Sequence, residues 1–139
     1  MTTTKRPNTV TLDQIPHRAK AVAAGLRGGE IFALIGPLGS GKTTFVQAVG
    51  RALKLKHKIT SPTFILLQGF NFKIGPTKAQ LYHLDLYRTK NFNEVKALGL
   101  EDFWGQANTV TFIEWADKIT KHLPKKSKKI YFSHLPKIP

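Results

Sequence analysis

The stretch Ile31-Phe-Ala-Leu-Ile-Gly36-Pro-Leu-Gly-Ser-Gly-Lys42-Thr43-Thr44-Phe45 decides the fold. Five apolar residues run straight into G-x-x-x-x-G-K-T, and an amphipathic segment follows over residues 45–53. Strand, glycine-rich loop and helix in that order make a unit whose backbone N–H groups cradle phosphate oxygens. Glycines at 36, 39 and 41 let the backbone take conformations closed to other residues and approach an anion closely. The helix opening near Lys42 aims its positive dipole end at the same place. Lys42 adds a compact charge for β- and γ-phosphates, and Thr43 offers a hydroxyl to Mg²⁺. The expected phosphate-binding set is therefore Gly36, Gly39, Ser40, Gly41, Lys42, Thr43 and Thr44, and the expected ligands are a nucleoside triphosphate and Mg²⁺.

Upstream of the loop, residues 8–12 read as a short edge strand. Asp13 reads as the N-cap of a helix that tolerates Pro16 in its first turn. Leu12, Ile15, Ala19, Val22, Ala23 and Leu26 keep helical spacing, and Gly25 with Gly28-Gly29 ends the run. Downstream, the helix after the loop is expected to bury Phe45, Val46, Val49, Ala52 and Leu53 and to turn Gln47, Arg51 and Lys54 to water. Residues 64–68 and 79–84 read as strands, joined into a hairpin by residues 71–78 with Gly75-Pro76. Asn93 reads as the cap of a short helix stopped by Gly99, and residues 101–106 as a further helical turn. Thr109-Val-Thr-Phe-Ile113 is a buried strand ending at Glu114. Residues 129–133 read as another strand. The mixture predicts a three-layer α/β phosphate-binding-loop NTPase fold with a mixed, mainly parallel sheet and an antiparallel hairpin. It predicts a single domain over residues 1–139, with a basic C-terminal segment at 118–139.

Composition narrows the function classes. The absence of cysteine excludes disulfides and thiolate metal sites. No segment approaches the length of a membrane span, and the first residues lack the apolar core of a secretory signal, so the expected location is the cytoplasm. The net charge is +14, lysine outnumbers arginine 17 to 5, and seven lysines fall between residues 118 and 137 without an acid. Such a balance points to a polyanionic partner, RNA or an acidic protein surface. The plainer reading is a solvated lysine-rich surface.

Acids are scarce, which limits the choice of a magnesium partner. A phosphate-binding loop works with an acid at the end of a neighbouring strand. Of eight acids, two close apolar strands: Asp85 after Leu81-Tyr-His-Leu84, and Glu114 after Val110-Thr-Phe-Ile113. A carboxylate there is costly unless a cation or hydrogen bonds satisfy it. The competing reading is a structural ion pair, for example Asp85 with Arg88. Thr60-Ser61-Pro62-Thr63 follows the helix that starts at the phosphate, and its hydroxyls suit a segment that senses the γ-phosphate.

Taken together, these residues resemble the TsaE (YjeE) family of bacterial tRNA-modification ATPases. The pieces that carry the resemblance occur in the family's order: G-x-L-G-S-G-K-T-T-F from Gly36, Ser61-Pro-Thr-Phe64, Tyr82-His-Leu-Asp-Leu-Tyr-Arg88, Leu98-Gly-Leu-Glu-Asp-Phe103 and Ile113-Glu-Trp115. The resemblance spans roughly residues 12–115. The loop alone is widespread, whereas the ordered S-P-T-F, H-x-D-x-Y-R and I-E-W set is specific. The resemblance implies ATP binding and hydrolysis in support of a TsaB–TsaD-type complex that forms threonylcarbamoyladenosine at tRNA position 37. It implies that tRNA is met through that complex, with the basic surface as a possible aid, and that the transfer chemistry is not this chain's own. By the same resemblance Lys42 and Thr43 hold phosphate and Mg²⁺, and Glu114 is the acid on Mg²⁺; the expected catalytic residues are Lys42, Glu114 and Asp85, the last to orient the attacking water, with His83 as the weaker candidate for that task. Ser61, Pro62 and Thr63 form a first switch. His83, Asp85 and Arg88 form a second, and Trp115 stands beside the nucleotide. Residues 11–14 are placed at the adenine. Position 37 is proline where the family often has an acid. Two other readings share the loop: a small kinase acting on a metabolite or polynucleotide end, and a basic RNA-binding module.

Overall fold

A computed structural model describes residues 9–60 and 67–134. The strands are β1 (Thr9–Thr11), β2 (Ile31–Ile35), β3 (Leu67–Ile74), β4 (Thr77–Asp85), β5 (Thr109–Glu114) and β6 (Lys128–Ser133). The helices are α1 (Ile15–Ala24), α2 (Lys42–Ala52) and α3 (Phe92–Lys96), with 3-10 segments at Leu12–Gln14, Leu100–Asp102 and Ala116–His122. The six strands form one sheet in the order β1-β6-β2-β5-β4-β3. Every neighbouring pair is parallel except the antiparallel β3–β4 hairpin. The mixed, mainly parallel α/β architecture is the one the sequence predicts.

Alternation along the strands divides the core into two layers. Phe32 and Leu34 of β2, Leu81 of β4, Val110 and Phe112 of β5 and Ile130 and Phe132 of β6 join α1 and α2 on one face. Ile31 and Ala33, Leu84 and Ile113 join Val95, Leu100 and Ile119 on the other. An aromatic cluster centres the first layer: Phe32 stacks on Phe112 with centroids 4.8 Å apart, and Phe45 meets Phe132 edge-on at 5.5 Å.

Local details depart from the sequence reading at four places. Asp13 does not cap the first helix: Gln14 is the N-cap of α1, without a side-chain cap bond, and Thr11 is the N-cap of the segment before it. A 3-10 turn intervenes, the Thr11 N–H donates to Gln14 Oε1 at 3.1 Å, and the Thr11 hydroxyl donates to the Asp13 carboxylate. Asn91, not Asn93, caps α3: its extended backbone lets Oδ1 accept the Glu94 N–H at 3.2 Å. Ala52 is exposed and Gln47 half-buried, because α2 ends at Ala52 while Gln47 Nε2 donates to Ile59 O at 2.9 Å. The hairpin strands run through most of the predicted connection. Pairing continues from Leu67↔Leu84 to Ile74↔Thr77, so only Gly75-Pro76 turns. Phe70, Phe72 and Ile74 alternate against the core, and that periodicity outweighs the turn-forming residues nearby. Residues 64–66 of the predicted strand lie outside the described residues.

Gly28 fixes how the end of β5 nearest the hairpin turn is packed. Its φ is +104°, and a Cβ there would stand 1.9 Å from Ala107 O. Gly28→Ala is expected to destabilise the protein by about 2–3 kcal/mol, since both backbone strain and a backbone clash oppose it. A urea titration of both forms measures this, and an unchanged midpoint would refute it.

Candidate nucleotide site

The loop between β2 and α2 closes against the N-terminal turn of the chain. Gly41 sits at φ +105° as the N-cap of α2, and a Cβ there would stand 2.5 Å from Ile15 Cδ1 and 2.9 Å from Leu12 Cδ2. Glycine is required here both for its backbone conformation and for space. Leu12 is largely exposed beside it, so the segment placed at the adenine by resemblance does border the loop. Gly36 is equally confined, with Ser40 Oγ 2.7 Å from where its Cβ would be. Ser40 Oγ itself is buried without a hydrogen-bond partner. Lys42 is almost wholly buried, and its Nζ donates to Gly36 O at 2.6 Å and Pro37 O at 2.9 Å. Thr44 is exposed on the first turn of α2.

Strand parity brings the two acids to the same place. Leu81, His83 and Asp85 share one face of β4, while Val110, Phe112 and Glu114 share the matching face of β5. Leu81, Val110 and Phe112 on those faces pack with α2, and Asp85 and Glu114 are register partners. Both carboxylates therefore end up at the start of α2. The Thr43 hydroxyl donates to Glu114, with Oε1 at 2.7 Å and Oε2 at 2.8 Å. His83, fully buried, places Nε2 2.5 Å from Glu114 Oε2. Its Nδ1 has no partner, so Nε2 is the ring atom that engages the carboxylate. The sequence groups His83 with Asp85 and Arg88 but does not reveal this bond to Glu114. Among the described residues, no three His, Asp or Glu side chains gather to hold a metal by themselves.

Trp115 follows Glu114 with φ +59°, a conformation uncommon outside glycine. That turn lays its ring under Lys42, with Nζ 4.1 Å from the ring centroid, a cation–π geometry. Tyr87 makes a tilted contact with the same ring, centroids 5.1 Å apart. Arg88 is exposed in the turn after β4. His134 lies near the loop tip, its Cε1 3.6 Å from the position of a Cβ at Gly39. No periodicity or motif in the sequence marks it. Ser61, Pro62 and Thr63 lie outside the described residues.

Burial shapes the charges. Desolvation lowers the Lys42 pKa from its ordinary value, and Glu114, Asp117 and Asp85 partly oppose that. Desolvation raises the Asp85 pKa, the Tyr87 N–H at 3.0 Å counters it, and the Glu114 charge adds to the rise. A raised folded-state pKa stabilises the fold below the unfolded pKa, and that contribution is lost as pH rises through the folded value. At neutral pH the Asp85 charge is thus a cost. Asp85→Asn, measured without nucleotide or metal, is expected to melt higher than the parent at pH 7 and to lose that advantage in acid. A melting temperature that falls at pH 7 would contradict it.

The family model described as threonylcarbamoyl adenosine biosynthesis protein TsaE matches residues 9–137, so the match reaches past Trp115 and through β6. The tRNA threonylcarbamoyladenosine biosynthesis protein TsaE of Bacillus subtilis is 36% identical over 117 residues, covering 84% of this chain and 69% of the relative. Its namesake from Rickettsia bellii is 41% identical over 112 residues, covering 80% of this chain and 73% of that one. The one from Nostoc is 38% identical over 97 residues but is covered over only 57% of its length. The crystal structure of Bacillus subtilis YdiB superposes with a TM-score of 0.60 at 31% identity, covering 88% of this chain and 71% of that one. Family match, identity over most of the chain and shared fold converge on one assignment: the chain belongs to the TsaE family and has that family's role in tRNA threonylcarbamoyladenosine biosynthesis.

Proposed function

We propose that the chain binds ATP with Mg²⁺ and hydrolyses it in support of a TsaB–TsaD-type complex that modifies tRNA position 37. The observation that carries this reading is the convergence of Lys42, Thr43, Glu114 and Asp85 at the mouth of one glycine-rich loop. The site suits the ligand. Ser40 Oγ is buried and unpartnered, Gly36 and Gly41 leave no room for a side chain, and Lys42 lies against two loop carbonyls. Gly36, Gly39, Ser40, Gly41, Lys42, Thr43 and Thr44 would hold the phosphates, and Thr43 and Glu114 would hold the metal. Bound Mg²⁺ supplies charge neutralisation at the phosphate oxygens.

Water attacks the γ-phosphorus, a P–O bond to that water forms, and the bond to the β–γ bridging oxygen breaks to release ADP and phosphate. Lys42 balances charge on the phosphates, and Trp115 beneath it restricts where that ammonium sits. Asp85 orients the water and takes its proton, a task favoured by its raised pKa. His83 keeps the Glu114 carboxylate turned toward Thr43. Among the described residues no strong base other than these lies in the site, which fits slow turnover alone and faster turnover once a partner completes it.

Reconstitution tests the whole reading. TsaB, TsaD, tRNA and ATP are expected to give sustained modification with this chain and to stall without it. Free phosphate should form without an acceptor; a phosphorylated acceptor would replace this reading with the kinase alternative. Trp115→Ala should raise KM for ATP about fivefold, the effect of losing roughly 1 kcal/mol of cation–π contact with its ordering of Lys42. An unchanged KM would remove Trp115 from the site.

A further inference from the structure

Acids gather at the loop end of this protein. Asp85, Glu114 and Asp117 all act on Lys42 at the loop end, and Asp13 follows Leu12, which packs on Gly41. The opposite pole is formed where β2, β4, β5 and β6 begin and where the β3–β4 hairpin turns. Three contacts hold it together. Gly28 borders both Ala107 O and Ile74 Cδ1, Lys126 Nζ donates to Gly105 O at 3.3 Å, and Lys128 Nζ stands 5.6 Å from the Phe32 ring. Arg18, Arg27, Lys73, Lys78, Lys126 and Lys128 are placed there by these contacts and by register. Arg18 and Lys128 also line a cavity of about 240 Å³ under the end of α1, floored by Val22, Leu26, Phe32 and Ile130.

Two observations say that this pole awaits negative charge. Among the described residues none of the six cations has a carboxylate within ion-pair distance. The pole's acid, Glu30, lines the same cavity as Arg18 and Lys128 and accepts the backbone N–H groups of Arg27 and Gly28 at 2.6 and 2.7 Å, which leaves six cations against one carboxylate. Lys73 and Lys78 are direct cross-strand partners, an arrangement of like charges that opposes pairing unless an anion lies over both.

We infer that this pole binds the phosphodiester backbone of RNA directly and independently of the nucleotide site. The cations reach from β6 to β3, four sheet steps of roughly 4.8 Å, or about 19 Å in all. That length matches several consecutive phosphates rather than one small anion. Lysines dispersed along a line contact phosphates without reading bases. The role of the family in tRNA modification supplies RNA as a partner. Direct RNA contact goes beyond the proposed ATP hydrolysis and does not rest on it.

The test is fluorescence anisotropy of the full chain with a labelled tRNA transcript between about 50 and 200 mM salt. Six phosphate contacts predict a slope of log K against log salt of about −4 to −5. The pairs Lys73→Gln/Lys78→Gln and Lys126→Gln/Lys128→Gln should each make the slope shallower by about 1.5. The charge-matched control Lys90→Gln/Lys96→Gln, near α3, should leave it unchanged. Circular dichroism melts confirm that each variant is folded, and ATP hydrolysis by the pole variants should equal the parent's. Lys42→Ala should bind the transcript as the parent does, so failure of the ATPase reading and failure of the RNA face give different results. Pole variants that bind like the parent would overturn the proposal. So would equal weakening by the control pair, or tighter binding of poly-glutamate than of the transcript, which would assign the face to an acidic protein.

Discussion

Lys42→Ala is expected to lower the proposed ATP hydrolysis by about 10²–10³-fold, the scale of removing one preorganised charge from a transition state that carries its charge on phosphate oxygens. ATP binding weakens as well, because the ammonium acts on ground-state phosphates too. The fold survives the change. At neutral pH the buried ammonium is held against a desolvation cost that lowers its pKa, so removing it relieves a penalty while giving up two carbonyl contacts and the Trp115 ring. Phosphate release assays give the rate, and a thermal melt that stays near the parent's shows that a catalytic group was lost rather than the structure. Near-parental hydrolysis by a folded Lys42→Ala protein would mean that the nucleotide is bound elsewhere.

Glu114 produces the second large effect, and here the substitution chosen separates chemistry from stability. Glu114→Ala strips acceptors from the Thr43 hydroxyl and from His83 Nε2 in a site where Glu114 is 2% and His83 0% exposed. Unpartnered buried donors cost about 1–3 kcal/mol each, so this variant should be both inactive and clearly less stable. Glu114→Gln keeps an oxygen for Thr43 and nearly the same volume but carries no charge for a metal. It should remain close to the parent in stability while losing hydrolysis by about 10²-fold or more. Denaturant titration beside a phosphate release assay checks both statements. A Glu114→Gln protein with normal activity would remove Glu114 from metal binding.

The phosphate-binding loop was legible in the sequence because its spacing and its strand–helix context are local. Asp85 and Glu114 were legible because a carboxylate closing an apolar strand is rare and costly. Their meeting follows from strand parity once β4 and β5 are known to be neighbours with Asp85 opposite Glu114. That adjacency is a long-range fact with no local signature. For the same reason the His83–Glu114 bond, the Lys42–Trp115 contact and the approach of His134 to Gly39 were not readable. Caps were misplaced at Asp13 and Asn93 because a capping residue one or two positions away competes on equal propensity. The hairpin turn was read too long because Asn71, Gly75 and Pro76 suggest a loop, whereas packing of Phe70, Phe72 and Ile74 decided the outcome.

The position of β6 has a consequence for biosynthesis. The last described strand is inserted between the first and the second, with β1 and β2 as its neighbours. While the ribosome is still making residues 128–133, β2 has a bare edge and β1 has no strand to pair with. The phosphate loop hangs from the end of β2, so its frame is completed only when the final strand slots in. Such sequence-distant closure slows folding and leaves an unpaired apolar edge open to other chains in the meantime. The nascent protein is therefore expected to be most prone to aggregation before β6 emerges, and to become competent for nucleotide only after β6 has paired.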